Sequence, residues 1–595
     1  MNKRFYWILG LLTVAALVLR LAVGFELAHA NGGHNPVVAP SPLTDMAIYQ
    51  SNSDMVARGE YQGEFYFQPF YYAVFLPLIK VVFGNSVGMI IVWQALLGAL
   101  TVFLSGLSAA GLWNRTAGIV TAGLLTFSNA LILYTPFLLI ETLQAFFLTL
   151  IFYTTMLAVR RRNWIRWSVV GLVLGCSILT RGNVWIFFPA LAAAAVWCQF
   201  RRRDDRINLN GWKVTKKLVP AMALVIFTLL PQVPFVIHNS LVRGQLSPPS
   251  TAAQNVLALG NTPEAPPGGR DWAAGAGAME YPETFRIWTS DREKSVQRHI
   301  WDWFCAEPLA FTELTFRKLL LFWDYREIPN NIAFEYGRMS WTYRVFAHVY
   351  SWMLLVLGLA GMLCLFRRIR RELEYQVLTY LVLSYALSIV SFYILARFRV
   401  PVLPLLGIFA GIFPGCVWTA RRSSSGRIGC LVAFFAAFCL VFFAYDAYRY
   451  YGESKVLRRV RHDGVRVRVA PEQEMVLDNG PHSFGGWGAV ELRTNTPLCK
   501  TFTRKKGDDY KSVELVMPLF WETPGQATIE VNGIKRRLTR SESGPLEFRL
   551  SLPCPADRRF DISMPEATAK VFYYVDFQRD YGRTRRAGVT IPGEA

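Results

Sequence analysis

The chain has 595 residues, 53% of them hydrophobic, with 63 Lys and Arg against 42 Asp and Glu. Its mean hydropathy is positive and its apolar residues fall in long runs, which excludes an ordinary soluble enzyme of this size. The net charge of +21 would suit nucleic acid, but the basic residues stand in short blocks between apolar runs, so they mark membrane topology and no nucleic-acid partner is expected.

Met1-Asn2-Lys3-Arg4 precedes an apolar run from Phe5 to about Phe25. Ala28-His29-Ala30 has the small-x-small form of a signal cleavage site, but Arg20 and the many later spans favour a retained helix. Further spans are expected near 87–110, 117–135, 138–159, 165–180, 184–199, 218–237, 346–366, 375–395, 399–419 and 428–446, about eleven in all. With the N-terminus in the cytoplasm, five dense basic blocks fall on the cytoplasmic side. They are Arg115, Arg160 to Arg166, Arg201 to Lys217, Arg367 to Arg371, and Arg421 to Arg427. That agreement places 25–86, 239–345 and everything after about 447 outside.

The second outer loop carries Trp272, Trp288, Trp301, Trp303 and Trp323; its middle, Glu283 to Phe311, has the spacing of a helix lying on the membrane surface. From about 450 the pattern changes to short alternating runs broken by turns such as Asn532-Gly533, which predicts an all-β, sandwich-like domain over 450–595. Six of the nine cysteines lie in or beside apolar spans; a Cys499–Cys554 disulfide is left open, and there is no CxxC pair to hold a metal.

Polar residues near the lipid boundary are costly and are functional candidates by default. Asp45 and Tyr49 stand in the first outer loop, followed by Arg58. Glu141 opens the span at 138–159, Arg181 joins two spans, His238-Asn239 ends another, Glu327 lies in the second loop, and Arg397 and Arg399 open the span containing Pro401 and Pro404. Singly, each has a bland reading: an acid can cap a helix and an arginine can reach to the headgroups. Together they suit group transfer from a phosphate-linked carrier. Arginines hold phosphate through paired donors, and a carboxylate takes a proton from an acceptor hydroxyl.

These residues resemble a family. Asp45 with Tyr49 and Arg58-Gly59, Gln68-Pro69, Phe83-Gly84, Glu141, Thr180-Arg181-Gly182-Asn183, His238-Asn239 with Arg243-Gly244, Leu259 to Pro263, and Arg397 to Pro404 look like the C-type (GT-C) integral-membrane glycosyltransferases. The branch is that of protein O-mannosyltransferases and aminoarabinose transferases, and the resemblance covers about 1–420. It implies a polytopic α-helical GT-C module over 1–446, a polyprenyl-phosphate sugar as donor, and a lipid, protein or glycan acceptor. It also implies an inner (plasma) membrane location, with transfer on the extracytoplasmic side. Asp45 is then the principal catalytic residue, as base or as part of a divalent metal site, with Glu141 as accessory acid. Arg181, Arg397 and Arg399 are donor-phosphate candidates, and Tyr49, Arg58, His238, Asn239 and Glu327 are accessory. Two positions depart from the family. Many members carry Asp-Glu where this chain has Asp45-Met46, and many carry Arg-Asn where it has His238-Asn239; His238 is either a metal ligand or a neutral hydrogen-bonding residue.

The expected function is a membrane glycosyltransferase. The alternatives are a transporter or lipid-carrier flippase, which predicts polar or broken helices at mid-membrane, and a non-catalytic envelope assembly subunit presenting the β domain. Polar residues gathered at the outer ends of the spans favour transfer at the surface.

Overall fold

The computed structural model describes residues 3–30, 35–40, 44–161, 163–200, 211–251, 253–262, 294–328 and 334–452, a few isolated positions between these, and a set of strands between 466 and 584. The chain divides into two compact units, Met1–Ala253 with Thr315–Gly452, and Gln254–Leu314 with Glu453–Ala595.

The first unit is helical. Among the described residues, eight helices are long and apolar enough to cross a membrane: Lys3–Ala28, Val87–Leu112, Glu141–Arg161, Gly182–Gln199, Leu218–Arg243, Leu373–Val390, Ala396–Ala420 and Ser424–Phe442. The protein is therefore an integral membrane protein, its backbone polar groups satisfied within each segment. The count of about eleven expected from the sequence differs from these eight for identifiable reasons. The spans near 165–180 and 346–366 form the shorter helices Trp164–Thr180 and Ser351–Cys364. The span near 117–135 is broken into Arg115–Thr126 and Asn129–Leu133.

Local chemistry sets these boundaries. Asn114 and Asn163 cap the helices that follow them, their side chains accepting from Ala117 N at 2.9 Å and Ile165 N at 3.1 Å. Both caps lie beside arginines of the basic blocks, so a polar turn returns the chain. Within the unit, small residues let helices approach: a Cβ at Gly171 would sit 2.5 Å from the Leu224 carbonyl oxygen. Buried Arg20 lies against Gly98 and donates to the carbonyls of Ala16 and Leu125.

The break after Thr126 shapes the unit most. Residues 127–140 are not one continuous helix, yet most are fully buried. Gln94, a lone amide in the apolar helix Val87–Leu112, holds them. Its Nε2 donates to the Thr135 and Phe137 carbonyls at 2.8 and 2.9 Å, and its Oε1 accepts from the Tyr71 hydroxyl at 3.0 Å. Irregular backbone at this depth is tolerated because protein groups replace the missing water.

In the second unit the described strands are antiparallel. Ser512–Trp521 pairs with Gly544–Pro553, Arg466–Ala470 and Val571–Tyr573. A four-stranded sheet runs Leu498–Thr501, Arg559–Ala567, Gly525–Val531, Ile534–Arg540. Leu515, Leu519, Trp521, Phe548 and Leu550 from one sheet share a core with Ile529, Val531, Phe560 and Ile562 from the other. The tightest hairpin turns on Asn532 and Gly533, both at positive φ (47° and 83°), the pair such a turn selects. This is the all-β region expected beyond 450. The surface helix expected over Glu283 to Phe311 is described only in part, as Val296–Ala306 and the start of Pro308–Trp323. Cys499 lies in the strand Leu498–Thr501, and Cys554, its expected partner, lies outside the described residues.

Candidate active site

Asp45 does not sit in an irregular loop, as its sequence context suggests, but in the first turn of a helix, Asp45–Ala57, where the dipole favours negative charge. Tyr49 follows one turn later. Met46, Tyr49 and Ser53 are buried, which fixes which face turns inward. At the far end Lys80 donates to Ser53 Oγ and Asp54 Oδ1, each at 2.7 Å, tying this helix to the helix Leu76–Phe83.

Asp45 Oδ2 lies 2.6 Å from Arg397 Nη2. The two residues are 352 positions apart in sequence (397 − 45), so only the fold brings them together. Their environments differ: the Arg397 side chain is 9% exposed and that of Asp45 32%. The carboxylate therefore stands at the open side of the pair.

Glu141 begins its helix with no accessible surface. Neither carboxyl oxygen has a hydrogen-bond partner among neighbouring residues, while Arg397, Arg181 and Asp45 all lie within electrostatic reach. Arg181 follows the helix Trp164–Thr180 and donates from Nη1 to the Tyr385 hydroxyl at 3.2 Å, which in turn donates to the Phe398 carbonyl at 3.1 Å. Its guanidinium carbon lies 4.2 Å from the centroid of the Phe398 ring, and that of Arg397 lies 5.1 Å from the same centroid. One aromatic ring thus attracts two arginines to its π-electrons. Two cations and two carboxylates gather here, with Tyr49 within reach of all four. Burial, and after it Asp45, push the Tyr49 phenol well above its ordinary value, which keeps it protonated; its buried hydroxyl has no hydrogen-bond partner among the described residues.

The other sequence candidates fall elsewhere. Arg399 donates to the carbonyls of Phe322, Asp324 and Arg326 and pairs with Glu327 Oε2 at 2.6 Å. It clasps the segment 322–327. Arg326 in the same segment pairs with Asp446. Arg58 is exposed and pairs with Glu60 at 2.8 Å. His238 lies 2.9 Å from the Gly63 carbonyl through Nε2, its ring 4.5 Å from that of Phe65. Asn239 accepts from Phe65 N and donates to the carbonyls of Phe65 and Pro248. Both residues hold the stretch around Phe65, and Arg243 completes the clamp through Glu64 (Nη2 to Oε1, 2.9 Å). That pairing holds the Glu64 carboxyl below the usual carboxylate range.

A divalent ion was one reading of Asp45 and His238. The donor set does not fit it: Asp45 is paired with Arg397, His238 is turned to Gly63, and no group of three His, Cys, Asp or Glu among the described residues could hold a metal.

Sequence reading missed Gln94, Tyr385 and Phe398. Gln94 had a signal, being a polar side chain within an apolar span. Tyr385 had none, since an aromatic in an apolar run is ordinary; Phe398 lies within the Arg397 to Pro404 motif, but nothing local marks its ring as the surface that both Arg181 and Arg397 approach.

Residues 68–234 match the family of dolichyl-phosphate-mannose-protein mannosyltransferases. This agrees with the resemblance read from the motifs. The matched stretch includes Glu141 and Arg181 but not Asp45 or Arg397. A search of curated proteins finds no match. Among solved structures, the oligosaccharyltransferase of Archaeoglobus fulgidus is 14% identical; the alignment covers 74% of this chain and 57% of that one, with a TM-score of 0.38. ArnT from Cupriavidus metallidurans bound to undecaprenyl phosphate is 16% identical over 76% and 73% of the two chains, with a TM-score of 0.37. Arabinosyltransferase EmbB from Mycobacterium smegmatis is 11% identical over 97% and 65%, with a TM-score of 0.30.

Proposed function

We propose that the protein is a membrane glycosyltransferase that moves a sugar from a polyprenyl-phosphate donor to an acceptor hydroxyl on the extracytoplasmic side. The observation that carries this reading is the Asp45–Arg397 pair at 2.6 Å, set beside Arg181 and Glu141. The match of residues 68–234 to the family of dolichyl-phosphate-mannose-protein mannosyltransferases supports a polyprenyl-phosphate-linked sugar as the donor class.

The division of roles follows from charge and exposure. Asp45, the more open member of its pair, accepts the proton of the acceptor hydroxyl as its oxygen attacks the anomeric carbon. The bond from that carbon to the phosphate oxygen breaks, and the leaving polyprenyl phosphate keeps the electron pair. Arg397 and Arg181 stabilise the negative charge that grows on it. Tyr49 offers a hydroxyl donor beside them. Glu141 is an accessory acid. Arg399 and Glu327 act on the segment 322–327, and His238, Asn239 and Arg58 act on the first outer loop, so all five support the site from outside it.

The test is turnover of purified protein in nanodiscs with a panel of radiolabelled polyprenyl-phosphate sugars and a membrane extract as acceptor source. Loss of a general base lowers rate by roughly 10²–10⁴-fold, so Asp45→Asn should fall within that range. An Asp45→Asn protein as active as wild type would refute the assignment.

A further inference from the structure

Resting on that reading, the site poses a problem that the roles above do not solve. Asp45 must present a free oxygen to the acceptor hydroxyl, yet Oδ2 is bonded to Arg397. An arginine that leaves a carboxylate in a buried site needs another anion, because a charge stripped of its partner away from water is costly. Glu141 meets that need. Both of its oxygens are buried without a neighbouring partner, and Arg397 is the first of the charges within its reach. Arg397 itself has a buried Nε without a partner. A carboxyl group with no neighbouring partner thus stands within electrostatic reach of an arginine that is paired through one nitrogen and unpartnered at another, an arrangement with two ways of pairing the same arginine.

We propose that Arg397 has two seats, Asp45 in the donor-free protein and Glu141 when a polyprenyl phosphate is bound. The arriving phosphate draws the guanidinium off Asp45, Glu141 takes the side of it that the phosphate leaves free, and Asp45 is released as a base only once donor is in place. Phe398, adjacent in sequence and in contact with both guanidinium groups through its ring, gives a face along which Arg397 turns. Glu141 is then a positioning residue that acts through Arg397. Donor binding and base release become one coupled equilibrium, and a ligand shifts it only by its differential affinity for the two seats.

The alternative is that Glu141 is a neutral, packed acid with no part in binding, or merely one more negative charge near the phosphate. Affinity for undecaprenyl phosphate, measured by titration calorimetry in nanodiscs, separates these readings without any transfer assay. Removing a nearby negative charge by simple electrostatics strengthens anion binding, so Asp45→Asn and Glu141→Gln would both bind more tightly. With two seats the signs oppose. Asp45→Asn abolishes the competing seat and binds about tenfold more tightly, while Glu141→Gln removes the receiving seat and binds about tenfold more weakly. Glu141→Asp, which keeps a carboxylate, recovers most of the loss. Tighter or unchanged binding in Glu141→Gln overturns the proposal, as does an Asp45→Asn protein that binds no better than wild type; the latter decides even if Glu141→Gln does not fold. Absence of binding by wild type overturns the donor reading and this proposal together, whereas binding with the wrong signs overturns the two seats alone.

Discussion

Arg397 and Arg399 are two residues apart and read alike in the sequence, yet the fold gives them different work. Arg397 faces a carboxylate at the open side of the site, whereas Arg399, 2% exposed, is surrounded by three backbone carbonyls and Glu327. Lys cannot reproduce that planar set of donors. Arg399→Lys should therefore leave carbonyls of 322–326 unsatisfied and lower the melting temperature, with the donor affinity of the remaining folded protein little changed; a stable Arg399→Lys protein with weakened phosphate binding would return Arg399 to the donor site. Asp324 in the same segment gives a pH signature. Burial pushes its carboxyl up to about 6, against opposing effects of the Arg326 amide, Arg326 and Arg399. The folded protein therefore keeps a proton that the unfolded chain releases near the ordinary value of 3.8. The contribution to stability is present below about pH 4 and is lost as pH rises through 6. Melting temperature measured from pH 4 to 7 should carry a falling component that Asp324→Asn removes; an identical slope in the variant would show that Asp324 does not titrate there.

At the scale of elements, the site depends on a break in a helix. The apolar run near 117–135 reads as one span because hydropathy does not see where a backbone turns. The structure stops it at Thr126 and leads the chain, buried, to Glu141. Gln94 accounts for how this is tolerated, with one side chain meeting two carbonyls and one hydroxyl. Each buried polar group left unmade costs about 1–3 kcal/mol, so Gln94→Leu should destabilise by roughly 3 kcal/mol or more. It should also lower transfer by displacing Glu141. Denaturation and turnover measured on the same preparation check this, and unchanged stability would mean that another group holds the 134–140 stretch.

At the scale of the whole molecule, orientation is the open quantity with the clearest test. The basic blocks predict that Glu60 lies outside and Arg422 in the cytoplasm. Both are exposed, as is the native Cys305. In a background with Cys305, Cys499 and Cys554 replaced by Ser, a membrane-impermeant maleimide should label Glu60→Cys in intact cells and Arg422→Cys only after permeabilisation. The opposite pattern would invert the topology and place the Asp45 site in the cytoplasm. The hairpin at Asn532-Gly533 and the alternating strands around it need no such test, because their local chemistry already matches the antiparallel sheets that formed.

The sequence by itself determined what is local or cumulative: apolar runs long enough for a membrane, caps and basic turns that end them, and alternation that makes strands. It also showed charged residues where lipid should exclude them, and so nominated Asp45, Glu141, Arg181 and Arg397 together with Arg58, His238, Arg399 and Glu327. Only the tertiary structure shows which of these come together, since partnership across 352 positions depends on which helices pack together and is not written in spacing. Arg397 and Arg399 differ by which side of one short helix each occupies. Asp45 and Glu141 differ by exposure, a property of everything packed around them. The physical reason is that hydropathy and propensity add along the chain, whereas the pairing of buried charges is set by the few neighbours that the whole fold brings within reach.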